Sequence, residues 1–336
     1  MPMLSLGDMA QSFMLRHNNV RLSSEMTRLS QELTTGATSD VSAHLKGNFS
    51  YLGDIERSLR VLDSFQTNAA EAATFTDAMQ LALDNVQTRT ADLSTAMLTA
   101  GATELAEPKL HASTQARGDM QSLISALNTS VAGQSLFSGT TTNVQPLADA
   151  DSMMADLRTA VTGLTTHSDI VAAVDDWFNT PGGGFETIGY LGSDTDLAAM
   201  RLSDEESVTL GLRADDDTFR NLLRDTALAA LAADSTLGYS LDLQSSLLME
   251  AGEGLLASQG NVTELRADLG YAQARIEEAE TRMATEKTSL EYAKGELLGI
   301  DQFETATQLE AVQFQLESLY AVTVKLSSLS LVRYMQ

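Results

Sequence analysis

Leu309, Val312, Leu316, Leu319, Val322, Leu326 and Leu329 recur at three- and four-residue spacing near the C-terminus, a pattern that lines one side of a helix. No Pro or Gly interrupts that stretch. The opposite end of the sequence carries the same rhythm in Leu22, Met26, Leu29 and Leu33, with Leu6, Phe13 and Val20 ahead of them. A chain whose two ends are both amphipathic helices is suited to pairing those ends, with each other and with neighbouring copies. This points to assembly rather than chemistry, and to a fold made of long helices.

The composition agrees. Aromatic residues make up only 5%, with a single tryptophan, Trp177, and just four prolines (Pro2, Pro108, Pro146, Pro181) limit the length of helices. A chain of 336 residues can hold two or three domains with sizeable cores. The formal net charge of −25 argues against nucleic acid or an anionic membrane as a partner, since both require clustered Lys and Arg. With no cysteine, neither a disulfide framework nor a thiolate metal site is possible. The opening MPMLSLGDMAQSFMLR lacks the basic and long apolar regions of a cleaved signal peptide, and no apolar run is long enough to span a membrane. The expectation is a protein that stays in the cytoplasm or leaves it by a route that keeps its N-terminus.

Helical patterning fills most of the chain. A first block covers 3–36, with Gly36 placed as a C-terminal cap. A second covers 50–100, from Ile55, Leu59 and Leu62 to Met79, Leu83, Val86, Leu93 and Met97, and ends at Gly101. A third runs from about Lys109 to Val131 and stops at Gly133. A further helix is expected over 238–258, followed by the strongest periodicity, 261–297. Along its seam ten of eleven positions are apolar, from Val262 to Leu297, with Glu286 the exception. Such a helix is about 55 Å long. It cannot bury its stripe alone, and 50–131 supplies partners.

The middle breaks the pattern. Residues 150–164 and 168–179 read as short helices, PGGGFETIGYLG as loop, Ser207–Arg213 as a strand partnered by Leu197–Leu202, and Asp217–Ala233 as helix. The fold class is therefore mainly α: a long antiparallel helical bundle or coiled coil formed by the N- and C-terminal segments, with a smaller α+β insert. The expected domains are terminal helices for assembly over 1–40 and 300–336, a helical rod over 41–145 and 238–299, and the insert over 146–237.

No catalytic, cofactor or metal site is expected. His17, His44, His111 and His167 are scattered without ligand spacing. Asp215-Asp216-Asp217 lacks the Gly and closing Glu of a calcium loop and suits a helix N-terminus. Gly182-Gly183-Gly184 lacks the Lys-Ser/Thr of a phosphate loop, and no G-x-S-x-G elbow occurs.

Four stretches carry a family resemblance. LSQELTTG (Leu29–Gly36) resembles the N-terminal helix and closing turn of the flagellin family. LRADLGYAQARIEEA (Leu265–Ala279) resembles that family's "R-A-x-L-G-A-x-x-N-R-L" passage, and ESLYAVTVKLSSLSLVRYM (Glu317–Met335) its terminal helix. SLFSGTTTNVQPLAD (Ser135–Asp149) is similar to an "F-x-G-T-x-T-x-x-x-P" segment typical of members at the hook–filament junction. One passage departs: where the family has "S-P-S-D-D-P-A", this chain has ATSDVSAHLKGN, keeping only Ser39-Asp40.

The resemblance implies an extracellular structural part of the bacterial flagellum, joining hook to filament or, alternatively, building the filament itself. It implies self-association, contact with other axial proteins (hook-associated proteins and flagellin), a cytoplasmic export chaperone and type III export without cleavage. A cytoplasmic coiled-coil scaffold is the reading from another class. The expected assembly and chaperone interface is Leu22, Met26, Leu29, Leu33, Leu309, Val312, Leu316, Leu319, Leu326 and Leu329. Burying a single stripe does not offset the entropy of ordering a helix, so both ends are expected to lie uncovered in a lone chain and to order against neighbours; the alternative is that the two ends pair within one chain into a finished coiled coil.

Overall fold

The computed structural model describes residues 6–334, with side chains from 9 to 326. The helices are α1 (Leu6–Thr35), α2 (Val41–His44), α3 (Ser50–Gly101), α4 (Ala106–Leu127), α5 (Ala150–Val161), α6 (His167–Asn179), α7 (Asp217–Ala232), α8 (Leu241–Leu298) and α9 (Gln302–Tyr334). A π-helical turn over Phe185–Gly189 lies within the stretch expected to be loop, and there are two minimal antiparallel pairs, β1 (Ser130–Val131) with β2 (Gln134–Ser135) and β3 (Met200–Arg201) with β4 (Ser207–Val208). The fold is mainly α, with long helices in antiparallel contact and a small α+β insert. Contacts divide the chain into two compact units, one taking the sequence up to Leu62 together with that from Ala284, the other Asp63–Met283.

In the first unit α1 and α9 pack together. They are antiparallel, because the residues leaving α1 meet those entering α9: Thr38 N–H donates to Leu298 O at 2.8 Å and Ile300 N–H to Gly36 O at 3.2 Å. Gly36 makes this possible. Its φ of +72° lies in the left-handed region, and its N–H closes the helix on Glu32 O at 2.8 Å.

In the second unit α3 and α8 run antiparallel, cross-linked by side chains. Gln273 donates to Asp77 at 2.7 Å, Gln80 to Arg266 O at 2.8 Å and Gln259 to Thr90 at 2.8 Å. Met79, Leu83, Val86, Leu93 and Met97 on α3 are buried, as are Val262, Leu269, Ile276 and Met283 on α8. Beyond Met283 the seam changes character: Leu290, Ala293 and Leu297 are only half-buried and Glu286 is exposed. Helix α7 packs on α4 and α6, and its last six residues, 227–232, are buried throughout. Where it ends, Asp234 takes hydrogen bonds from Arg117 of α4 and Arg158 of α5, both at 2.8 Å.

Three expectations about local structure change. The helices foreseen over 238–258 and 261–297 are one helix of 58 residues; Gly260 has nothing near it and simply stays helical, so it marks no boundary. The third block stops at Leu127 rather than near Val131. Asn128 binds the backbone of Leu147 in both directions at 2.9 Å, and Ala132-Gly133, at φ +50° and +81°, form the two-residue turn of the β1–β2 hairpin. The strand foreseen over Ser207–Arg213 is only Ser207–Val208, because the backbone beyond it is engaged elsewhere: Ala214 N–H donates to Phe137 O at 2.9 Å.

Candidate assembly interface

The two terminal stripes meet each other. Leu22, Leu29 and Leu316 are buried, and Met26, Leu33, Leu309, Val312, Leu319 and Leu326 are half-buried. The side chain of Leu329 lies outside the described residues. Part of this seam stays open as a groove of about 330 Å³ lined by Asn18, Arg21, Leu22, Gln315, Ser318, Leu319 and Val322. The expectation that both stripes lie uncovered in a lone chain does not describe this seam. The tight turn at Gly36 brings two marginal helices side by side, and each shields the other's apolar side.

What stays uncovered is a second face on each helix. At about 100° per residue, Met9, Phe13 and Val20 lie some 140–180° around α1 from Leu22. They are 55%, 67% and 65% exposed. Phe13 and Val20 therefore do not extend the Leu22–Leu33 stripe, as their spacing had suggested, but occupy the opposite side. On α9, Phe303 and Phe314 fall within about 20° of each other and roughly opposite Leu316, 84% and 71% exposed. Tyr320, Val322 and Val324 are exposed on its flanks. The far-side phenylalanines of α9 had been passed over in the sequence because the leucine stripe dominates the period; their eleven-residue interval was the available signal.

The joint between the two helices is polar and well satisfied. Glu32, buried despite its charge, accepts from Arg28 Nη1 on both carboxylate oxygens, at 2.8 and 2.9 Å, and from the N–H of Ser39 at 2.8 Å. Arg28 also reaches Glu25 at 2.6 Å. Asp40 caps α2 by accepting from Ala43 N–H at 3.0 Å, so the Ser39-Asp40 pair serves this turn.

A second group of interest, Ser135–Asp149, lies in the other unit. Phe137 is fully buried edge-on to Phe219, with ring centroids 6.1 Å apart. Ser193 N–H donates to Ser138 O at 2.9 Å and Thr140 N–H to Thr195 O at 3.0 Å. Gly139, at φ +61°, passes so close to the carbonyls of Ser193 and Thr195 that no Cβ would fit. Leu147 is buried beside Asn128, and Asp149 caps α5 through Ser152. The segment thus fastens the end of α4 to the insert.

The groups considered for chemistry have structural partners. Asp215 pairs with Arg213 at 2.8 Å, and Asp216 caps α7 by accepting from Thr218 N–H at 2.8 Å. Gly184 packs directly against the Trp177 ring, where a side chain would collide. Among the described residues no three His, Asp or Glu side chains gather as metal ligands, and no helix is long and apolar enough to cross a membrane.

Comparison with known proteins adds to this geometry. Residues 8–142 match the family model described as the bacterial flagellin N-terminal helical region, and residues 257–335 the one described as the C-terminal helical region. Together they cover well over half of the chain. A solved structure described as that of a flagellar hook-associated protein from Vibrio parahaemolyticus is similar at a TM-score of 0.52 and 14% identity, over 73% of this chain and 95% of that one. At that identity the likeness is one of fold. No curated protein matches the chain.

Proposed function

Because the chain belongs to the bacterial flagellin family, we propose that this structural protein of the extracellular flagellum joins hook to filament, as a hook-associated protein 3-like component. The family is structural and not enzymatic, and its members assemble with one another and with other flagellar parts. This family match sets aside the cytoplasmic scaffold.

The observation that carries the junction reading is the use made of Ser135–Asp149. The residues that resemble the junction-type segment are those that bury Phe137 and need Gly139 at φ +61°, so the resemblance falls on positions with a defined job. The fold likeness to a hook-associated protein supports the same reading. A filament subunit is the second reading, favoured by the two terminal regions that match flagellin itself.

Under this proposal 1–40 and 300–336 serve axial assembly, 41–145 and 238–299 form the rod, and 146–237 is the insert. Leu22, Met26, Leu29, Leu33, Leu309, Val312, Leu316, Leu319, Leu326 and Leu329 are the residues that a neighbouring subunit or an export chaperone engages when α1 and α9 open, and the far-side ridges are available without opening. Other hook-associated proteins and flagellin are the neighbours, reached after type III export with the N-terminus retained.

Deleting the gene in its own bacterium and viewing the cells by electron microscopy tests the proposal. Hooks without filaments, with flagellin released into the medium, are the expected result. Filaments of normal length would overturn it, and finding this chain as the main mass of sheared filaments would establish the second reading.

A further inference from the structure

Asp225, on the buried side of α7, is 2% exposed, and one of its carboxylate oxygens, Oδ2, has no hydrogen-bond partner. That oxygen sits directly against Gly254 of α8, at a point where any side chain on α8 would strike it. The other oxygen, Oδ1, accepts from Arg224 Nε at 2.8 Å. Arg224 is not free to neutralise Asp225 alone, since its Nη1 also binds Asp175 of α6 at 2.8 Å. From α8, Glu250 adds a further negative charge to the surroundings of Asp225. Its neighbour His167, at the start of α6, approaches Glu250 only to 3.9 Å. The charged groups facing the site are thus three carboxylates, from α6, α7 and α8, with one guanidinium among them and an imidazole at the edge.

An ionised carboxylate in this setting is penalised twice, by removal from water and by its acidic neighbours. Glycine at 254 brings α8 in so closely that Oδ2 is sealed from solvent, and no donor is supplied in exchange. A proton on Oδ2 removes the charge and lets the contact close without a buried, unpaired anion.

We propose that Asp225 takes up a proton when α7 seats on α8, so that this contact is an acid-tightened latch fastening the insert to the long helix. The latch is strongest in mildly acidic surroundings and weakens as the carboxyl ionises. Burial raises the Asp225 carboxyl to about 6, with the Arg224 hydrogen bond opposing the rise. The sign follows. A carboxyl whose proton affinity is higher in the folded chain than in the unfolded one stabilises the fold as pH falls through the folded value, and the gain is complete below the unfolded value near 4. The folded chain should hold this proton about a hundredfold more tightly than the unfolded chain.

The test is a titration of the Asp225 carboxyl carbon by 13C NMR in the intact full-length protein, with hydrogen exchange of 217–232 and 243–258 followed from pH 8 to pH 5. The expected results are a titration midpoint near 6 and exchange in both segments, corrected for the intrinsic rate, that slows as pH falls. Asp225→Asn should hold the contact closed at every pH and abolish that dependence, and Glu250→Gln should lower the midpoint. An ordinary midpoint near 4, or protection that is independent of pH in the wild type, would overturn the latch. If Asp225→Asn fails to fold, the wild-type titration and the Glu250→Gln shift decide the matter.

Discussion

Ser94 of α3 donates its hydroxyl to the backbone carbonyl of Gly252 in α8 at 2.8 Å, so the two long helices touch through a hydroxyl and a bare backbone. The contact holds because nothing larger stands there. A Cβ at Gly252 would lie 2.8 Å from Leu98 Cγ and 3.1 Å from Leu98 N. One turn away, a Cβ at Gly101 would meet Met249 Cγ at 2.7 Å and Ser245 O at 3.1 Å.

Gly252→Ala should therefore destabilise the unit by about 1–2 kcal/mol, overpacking outweighing the gain in helix propensity. Gly260→Ala, in open space on the same helix, should stabilise it by roughly 0.5–1 kcal/mol. Urea denaturation of the two variants should move the midpoint in opposite directions.

Leu29 and Phe314 separate the covered and uncovered faces of the terminal pair. Leu29 is 1% exposed, and Leu29→Ala should cost about 2–4 kcal/mol, seen as lost amide protection in α1 and α9. Phe314→Ser changes an exposed side chain and should alter stability by no more than about 0.5 kcal/mol. It should nevertheless impair incorporation into the flagellum, scored by motility of the complemented deletion strain. Normal motility with Phe314→Ser would remove the far-side ridge from the interface.

Deleting 306–336 takes most of α9 away from α1. Amide protection over 20–33 should fall, since Leu22 and Leu29 lose their cover, while Asp63–Met283 keeps a cooperative urea transition. Unchanged protection in α1 would mean that α9 is not what shelters it.

Asp234 sets a dependence of opposite sign to the latch. Burial alone would raise its carboxyl, but the hydroxyl and N–H of Thr236 and the Arg158 guanidinium overcome this and hold it well below the usual carboxylate range. A lowered folded value contributes stability that is full above the unfolded value near 4 and is lost as pH falls below it. Asp234→Asn should cost about 1–3 kcal/mol at neutral pH and flatten the loss of stability between pH 4 and pH 2. Parallel denaturation curves for both proteins across that range check this.

Much of the fold was legible where one period dominates. Met79 to Met97 and Val262 to Met283 repeat with the helix, and the residues that repeat are those that are buried, with Leu265 half-buried. Gly36 was legible as a stop because a left-handed turn there favours glycine. Gly260, by contrast, has open space around it and merely rides in α8. Phe13 and Val20 were misassigned because period alone does not say how many faces of a helix are apolar. The short insert strands were obscured by partners distant in sequence, such as Phe137 for Ala214. Asp225 carried no local signal, since its character comes from Gly254, Glu250 and Asp175 on two other helices.

The pairing of α1 with α9 also has a consequence in time. Helix α1 leaves the ribosome some 270 residues ahead of α9, the helix that it packs against. At the usual 5–20 residues per second, Leu22 and Leu29 wait tens of seconds for the segment that shelters them. Until then the apolar side of α1 is an adhesive strip without its counterpart, open to whatever meets the nascent chain first.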